Sequence, residues 1–83
     1  MSFLFVAFSS RSYASHAYQK LLQSGVSCAL FSTPTSANLG CGLSIRFNER
    51  DLFAVRQVCS TTNGCMGFFR AIQINQKIVV TRL

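Results

Sequence analysis

Residues 3–8 read Phe-Leu-Phe-Val-Ala-Phe, six apolar side chains in succession. A strand presents alternate residues to opposite faces, so a run with no polar member must be covered on both sides and belongs in the middle of a sheet. The run is too short to cross a membrane as a helix, and no basic residue precedes it as in a secretion signal. The remaining elements therefore have to be arranged around this strand.

Ser9, Ser10 and Ser12 follow it as helix-capping hydroxyls. Ala14, Ala17, Tyr18, Leu21 and Leu22 recur at the spacing of one helical stripe, and Gly25 stands where that helix should end. Residues 26–31 form a second strand with Val26, Cys28 and Leu30 on one face, and 43–47 a third, with Leu43, Ile45 and Phe47 inward and Ser44 and Arg46 outward. Asn48 is placed to cap a second helix, with Glu49 and Asp51 in its first turn and Leu52, Val55, Val58 and Cys59 as its buried stripe. Residues 60–64 are turn formers and 67–72 a fourth strand; Asn75-Gln76 can then turn 78–80 back as an extra edge strand.

The order βαββαβ predicts an α+β chain of the ferredoxin-like, split βαβ kind: an antiparallel sheet in the order 4-1-3-2 with two helices on one face. Residues 1–72 are read as a single ferredoxin-like domain and 73–83 as a C-terminal tail or extra edge strand. A chain of 83 residues has a marginal core that oligomerisation would help. At 49% hydrophobic and 12% charged residues, a covered apolar face is expected, and a homodimer through the open sheet face would supply one.

Eight Lys and Arg against two Asp and Glu give a net charge of +6, a bias toward anionic partners. The cations are scattered and make no basic tail. Cys28, Cys41, Cys59 and Cys65 have no Cys-x-x-Cys spacing, and His16 alone cannot complete a metal site. No metal or other cofactor is expected. Cys28 and Cys59 fall on core faces, where a thiol resists ionisation, so a cytoplasmic protein with reduced thiols is expected.

Cys41 differs from them. It lies between Gly40 and Gly42 at the end of Thr-Pro-Thr-Ser-Ala-Asn-Leu-Gly-Cys-Gly, where backbone can approach closely and a partner can reach sulfur. Thr33 and Pro34 set the exit from the second strand, Pro34 through its fixed φ. The topology brings this loop, the start of the first helix and Cys65 to one end of the sheet. Amides near Ser10 and Ser12, with the charge of Arg11, would stabilise a thiolate there. Cys41 and Cys65, one on each side of the first strand, should lie about 9 to 10 Å apart, beyond ordinary disulfide reach. Cys65 is a candidate resolving thiol or a surface thiol without a role.

The pattern of Phe31-Ser-Thr-Pro34 followed by Cys41-Gly42, within 3–72, resembles the selenium/sulfur carrier protein-like family of small bacterial domains. The family usually carries arginine directly after Thr-Pro and this chain has Thr35, so no role for a charge at that position carries over. The resemblance implies a carrier whose Cys41 holds a persulfide or selenopersulfide. It also implies a donor of the pyridoxal-dependent cysteine desulfurase or selenocysteine lyase type. No carboxylate pair suited to acid–base catalysis is present, so a non-enzymatic carrier is expected. Two alternatives carry no thiol chemistry. In one, Gly40-Cys41-Gly42 is a tight connection and nucleic acid binds the open sheet, where Gly67-Phe68-Phe69-Arg70 echoes an aromatic RNA-binding motif. In the other, Phe31, Phe68 and Ile72 on the open face pack against a second copy.

Overall fold

A computed structural model describes residues 2–34 and 42–83. The elements are β1 (Ser2–Phe8), α1 (Arg11–Gln23), β2 (Cys28–Ser32), β3 (Leu43–Phe47), a 3-10 turn (Glu49–Asp51), α2 (Leu52–Cys59), β4 (Cys65–Ile74) and β5 (Lys77–Arg82). All strand pairings are antiparallel and the sheet order is β2-β3-β1-β4-β5. This is the α+β split βαβ arrangement extended by one edge strand. Among the described residues no helix is long and apolar enough to cross a membrane.

The 3–8 run occupies the centre of the sheet, as its composition requires. Leu4, Val6 and Phe8 face both helices and pack with Ala14, Ala17, Leu21, Ile45, Phe47 and Val55. Phe5 and Ala7 face the other way, where Phe69 and Ala71 join them under partial cover from Phe3, Phe31 and Val80. Each fully buried Leu, Val or Phe stabilises the fold by about 1.5–3 kcal/mol over its exposed state, so this strand contributes on both faces.

Helix α1 begins where Ser10 Oγ accepts from Tyr13 N–H at 3.1 Å and ends where Val26 N–H reaches Leu21 O at 3.0 Å, with Gly25 at φ +81°. Its buried stripe is narrower than expected: Ala14, Ala17 and Leu21 are buried, but Leu22 is 44% exposed. The helix meets the sheet along a line, and Leu22 falls past its edge.

Three further expectations are corrected. Asn48 makes no side-chain cap; Glu49–Asp51 form the 3-10 turn and α2 starts only at Leu52. Glu49 instead reaches across to Arg70 on β4, Oε1 to Nη1 at 2.8 Å. Ser44 points to the open face but is fully buried, because it lies between Phe31 of β2 and Ala7 of β1 and hydrogen-bonds Thr33 Oγ1. Finally, Phe69 and not Phe68 is on the open face. The register pairs Phe69 with Phe5 and Phe68 with Val6, which turns Phe68 and, four pairs on, Ile72 toward the helices.

The fourth strand is longer than 67–72 and turns at Asn75, φ 57°, so that Lys77–Arg82 pairs back on Phe69–Ile74. Asparagine tolerates this left-handed backbone better than most residues.

Candidate functional site

The end of the sheet at which β1 finishes gathers the starts of three other elements. Ser44 pairs with Ala7 on one side of β1, and Cys65 with Phe8 on the other. The register slips between these positions, so that Gly67 faces Ala7 and Met66 is the extra residue of a bulge. Ser9 N–H donates to Gly64 O at 2.8 Å, which ties the entry to α1 to the entry to β4.

The residues flanking the 35–41 segment are held at this same end. Thr33 N–H donates to Gly42 O at 2.8 Å, and the Thr33 and Ser44 hydroxyls bond each other. Gly42 is at φ +85°, a backbone state that glycine adopts without penalty. Pro34 is half-buried. Gly40 and Cys41 lie outside the described residues, and with them the expected Cys41 to Cys65 spacing. Of the residues proposed to stabilise an anion, Ser10 uses its hydroxyl on Tyr13 N–H, while Arg11 and Ser12 are exposed in the first turn of α1. His16 is exposed on the same helix.

A second thiol arrangement was not foreseen. Cys59 ends α2, Cys65 begins β4, and Cys65 packs against the core cluster to which Cys59 belongs, close enough for each thiol to shift the other's titration. Cys59 is 5% exposed within the main core and Cys65 is half-buried against it. The two thiols titrate in opposite directions. Contact with Cys59 lowers Cys65 most, to about 6, helped by the Gly67 N–H and the cations of Arg56 and Arg82 and opposed by burial. Cys59 is driven up by Cys65 and by burial. The more exposed, cation-flanked member is the one that ionises, which is the physically consistent order.

The two guanidiniums are held in place. Arg56 lies over the Phe68 ring at 4.8 Å and Arg82 over Phe69 at 5.4 Å, while Arg82 Nη2 points to Met66 O at 3.5 Å. Cys28, by contrast, is pushed up by burial and by the nearby Asp51, so it is a poor nucleophile. The signal for the pair was present in the sequence: a cysteine closing a helix stripe, five turn-forming residues, and a cysteine opening a strand.

The family model described as "Putative Se/S carrier protein-like" matches residues 3–65. The chain belongs to that family. No curated protein and no solved structure matches it.

Proposed function

We propose that the chain is a sulfur or selenium carrier that uses Cys41 as its carrier thiol. The family match, which runs through Cys41, carries this reading. What supports it further is that Thr33 and Gly42, the residues bracketing the segment, are bonded to each other at the end of the sheet where α1 starts. A helix start is a favourable neighbour for a thiolate or a terminal persulfide anion.

In this reading the Cys41 thiolate attacks the outer sulfur or selenium of a donor persulfide. A new bond forms to that atom, the donor's S–S or S–Se bond breaks, and the donor thiolate leaves with the bonding pair. The donor is a cysteine desulfurase or selenocysteine lyase-type enzyme, and the carrier itself needs no cofactor. The nucleic-acid alternative is weaker, because base stacking needs open ring faces, while Phe5 and Phe69 are 0% and 5% exposed and stacked on each other at 5.3 Å.

The test is exposure to a persulfide donor followed by tryptic mass spectrometry. Trypsin leaves Cys28 and Cys41 together in residues 21–46 and Cys59 and Cys65 together in 57–70. Gain of one sulfur or selenium in 21–46, abolished by Cys41→Ser, supports the carrier. Loading that is absent, or that survives Cys41→Ser, rejects it.

A further inference from the structure

Cys59 and Cys65 are brought to the same core cluster by two independent elements, the end of α2 and the start of β4. The connection between them is not a loose loop: Ser60 N–H reaches Arg56 O at 3.0 Å, Thr61 N–H reaches Val58 O at 3.1 Å, and Thr62 Oγ1 donates to Cys59 O at 3.2 Å. Gly64, at φ +82°, then turns the chain into β4, and the pairing of Cys65 with Phe8 fixes the second thiol. One sulfur is buried and the other half-buried, so an outside reagent meets Cys65 first.

We infer that Cys59 and Cys65 form a thiol–disulfide exchange site that takes low-molecular-weight disulfides and closes to an internal disulfide. The Cys65 thiolate attacks one sulfur of the reagent RSSR, an S–S bond forms to Cys65, and the first RS⁻ leaves. Cys59 then loses its proton to solvent and attacks Cys65 Sγ, and the second RS⁻ leaves. The balance is two protein thiols oxidised to one disulfide and one RSSR reduced to two RSH. Arg56 and Arg82 stabilise the attacking thiolate, and the packing of Cys65 against the cluster that holds Cys59 supplies the resolving sulfur. The shift of Cys65 below the ordinary thiol range raises its thiolate fraction at pH 7 above that of a free cysteine.

The experiment incubates the reduced full chain with glutathione disulfide at pH 7, traps free thiols with an alkylating agent and maps tryptic fragments. The expected result is residues 57–70 with two hydrogens lost and no alkyl group, in the native chain and equally in Cys41→Ser. With Cys59→Ser, a mixed glutathione disulfide should accumulate on Cys65. With Cys65→Ser, oxidation of the fragment should slow at least about tenfold, because the remaining thiol is buried. Two alkyl groups on 57–70 after exposure, or a disulfide joining 57–70 to 21–46, would overturn the proposal. The carrier reading is scored separately, on residues 21–46.

Discussion

The ring of Tyr13 occupies the space that a Cβ on Gly64 would need. An added Cβ there would fall 2.7 Å from Tyr13 Cγ and 2.9 Å from Ser9 Oγ. The first turn of α1 and the entry to β4 therefore approach as closely as they do only because residue 64 is glycine. Gly64→Ala combines a left-handed φ with a steric clash and should lower stability by about 2–4 kcal/mol. Gly25 has nearly the same φ but nothing within 4 Å, so Gly25→Ala should cost only about 1–2 kcal/mol. Urea unfolding of the two variants separates the backbone effect from the packing effect; equal losses would contradict it.

The Cys65 thiolate has a pH signature. Iodoacetamide labelling of residues 57–70 should rise with a midpoint near 6, well below the ordinary thiol value. Cys59→Ala should move the midpoint up the most, and Arg56→Gln or Arg82→Gln less. The lowered Cys65 contributes stability that is complete above the ordinary value of 9.0 and is lost as the pH falls toward 6. Cys59 is raised, so its contribution is complete below 9.0 and lost above it. As far as these two groups decide it, stability peaks near pH 9, and an unfolding series from pH 6 to 10 reads the sign directly.

The hydroxyl of half-buried Thr33 is the hydrogen-bond partner of the fully buried Ser44 hydroxyl. Thr33→Val leaves the buried Ser44 hydroxyl without its partner and should cost about 1–3 kcal/mol. The double variant with Ser44→Ala removes both groups and should recover most of that loss. A double-mutant cycle by urea unfolding checks it; equal instability of single and double variants would show that the hydrogen bond is not what matters.

The open sheet face is held together by its own rings. Phe69, 5% exposed and stacked on Phe5, should cost about 3–5 kcal/mol when changed to Ala. Phe53, on α2 and 71% exposed, should cost at most about 0.5 kcal/mol. Thermal melting of the pair tests whether this face is a second core; a mild Phe69→Ala would say that it is not.

The central strand was legible because six apolar residues admit no one-sided solution, and α1 because its cap, stripe and Gly25 agree. The side on which each ring of β4 lies was not legible. Phe68 and Phe69 are adjacent and equally apolar, so only the pairing of Phe69 with Phe5 decides between them. The start of α2 misled for a similar reason. Asn48-Glu49-Arg50-Asp51 has the composition of a helix start, yet its geometry is one 3-10 turn, with Glu49 drawn to Arg70. The thiol pair was not legible because Cys59 and Cys65 belong to different elements, and only the docking of α2 beside the start of β4 brings them to one cluster.

The position of β1 bears on how the chain comes into being. Its six apolar residues leave the ribosome before either neighbour exists, since β3 begins at Leu43 and β4 at Cys65. At about 5–20 residues per second, the strand waits several seconds without a partner on either edge. Folding cannot nucleate on this strand until distant segments return to it, which makes for slow, high-contact-order assembly. The same residues that secure the finished sheet are the nascent chain's principal aggregation hazard, and the stretch that a chaperone would be expected to hold.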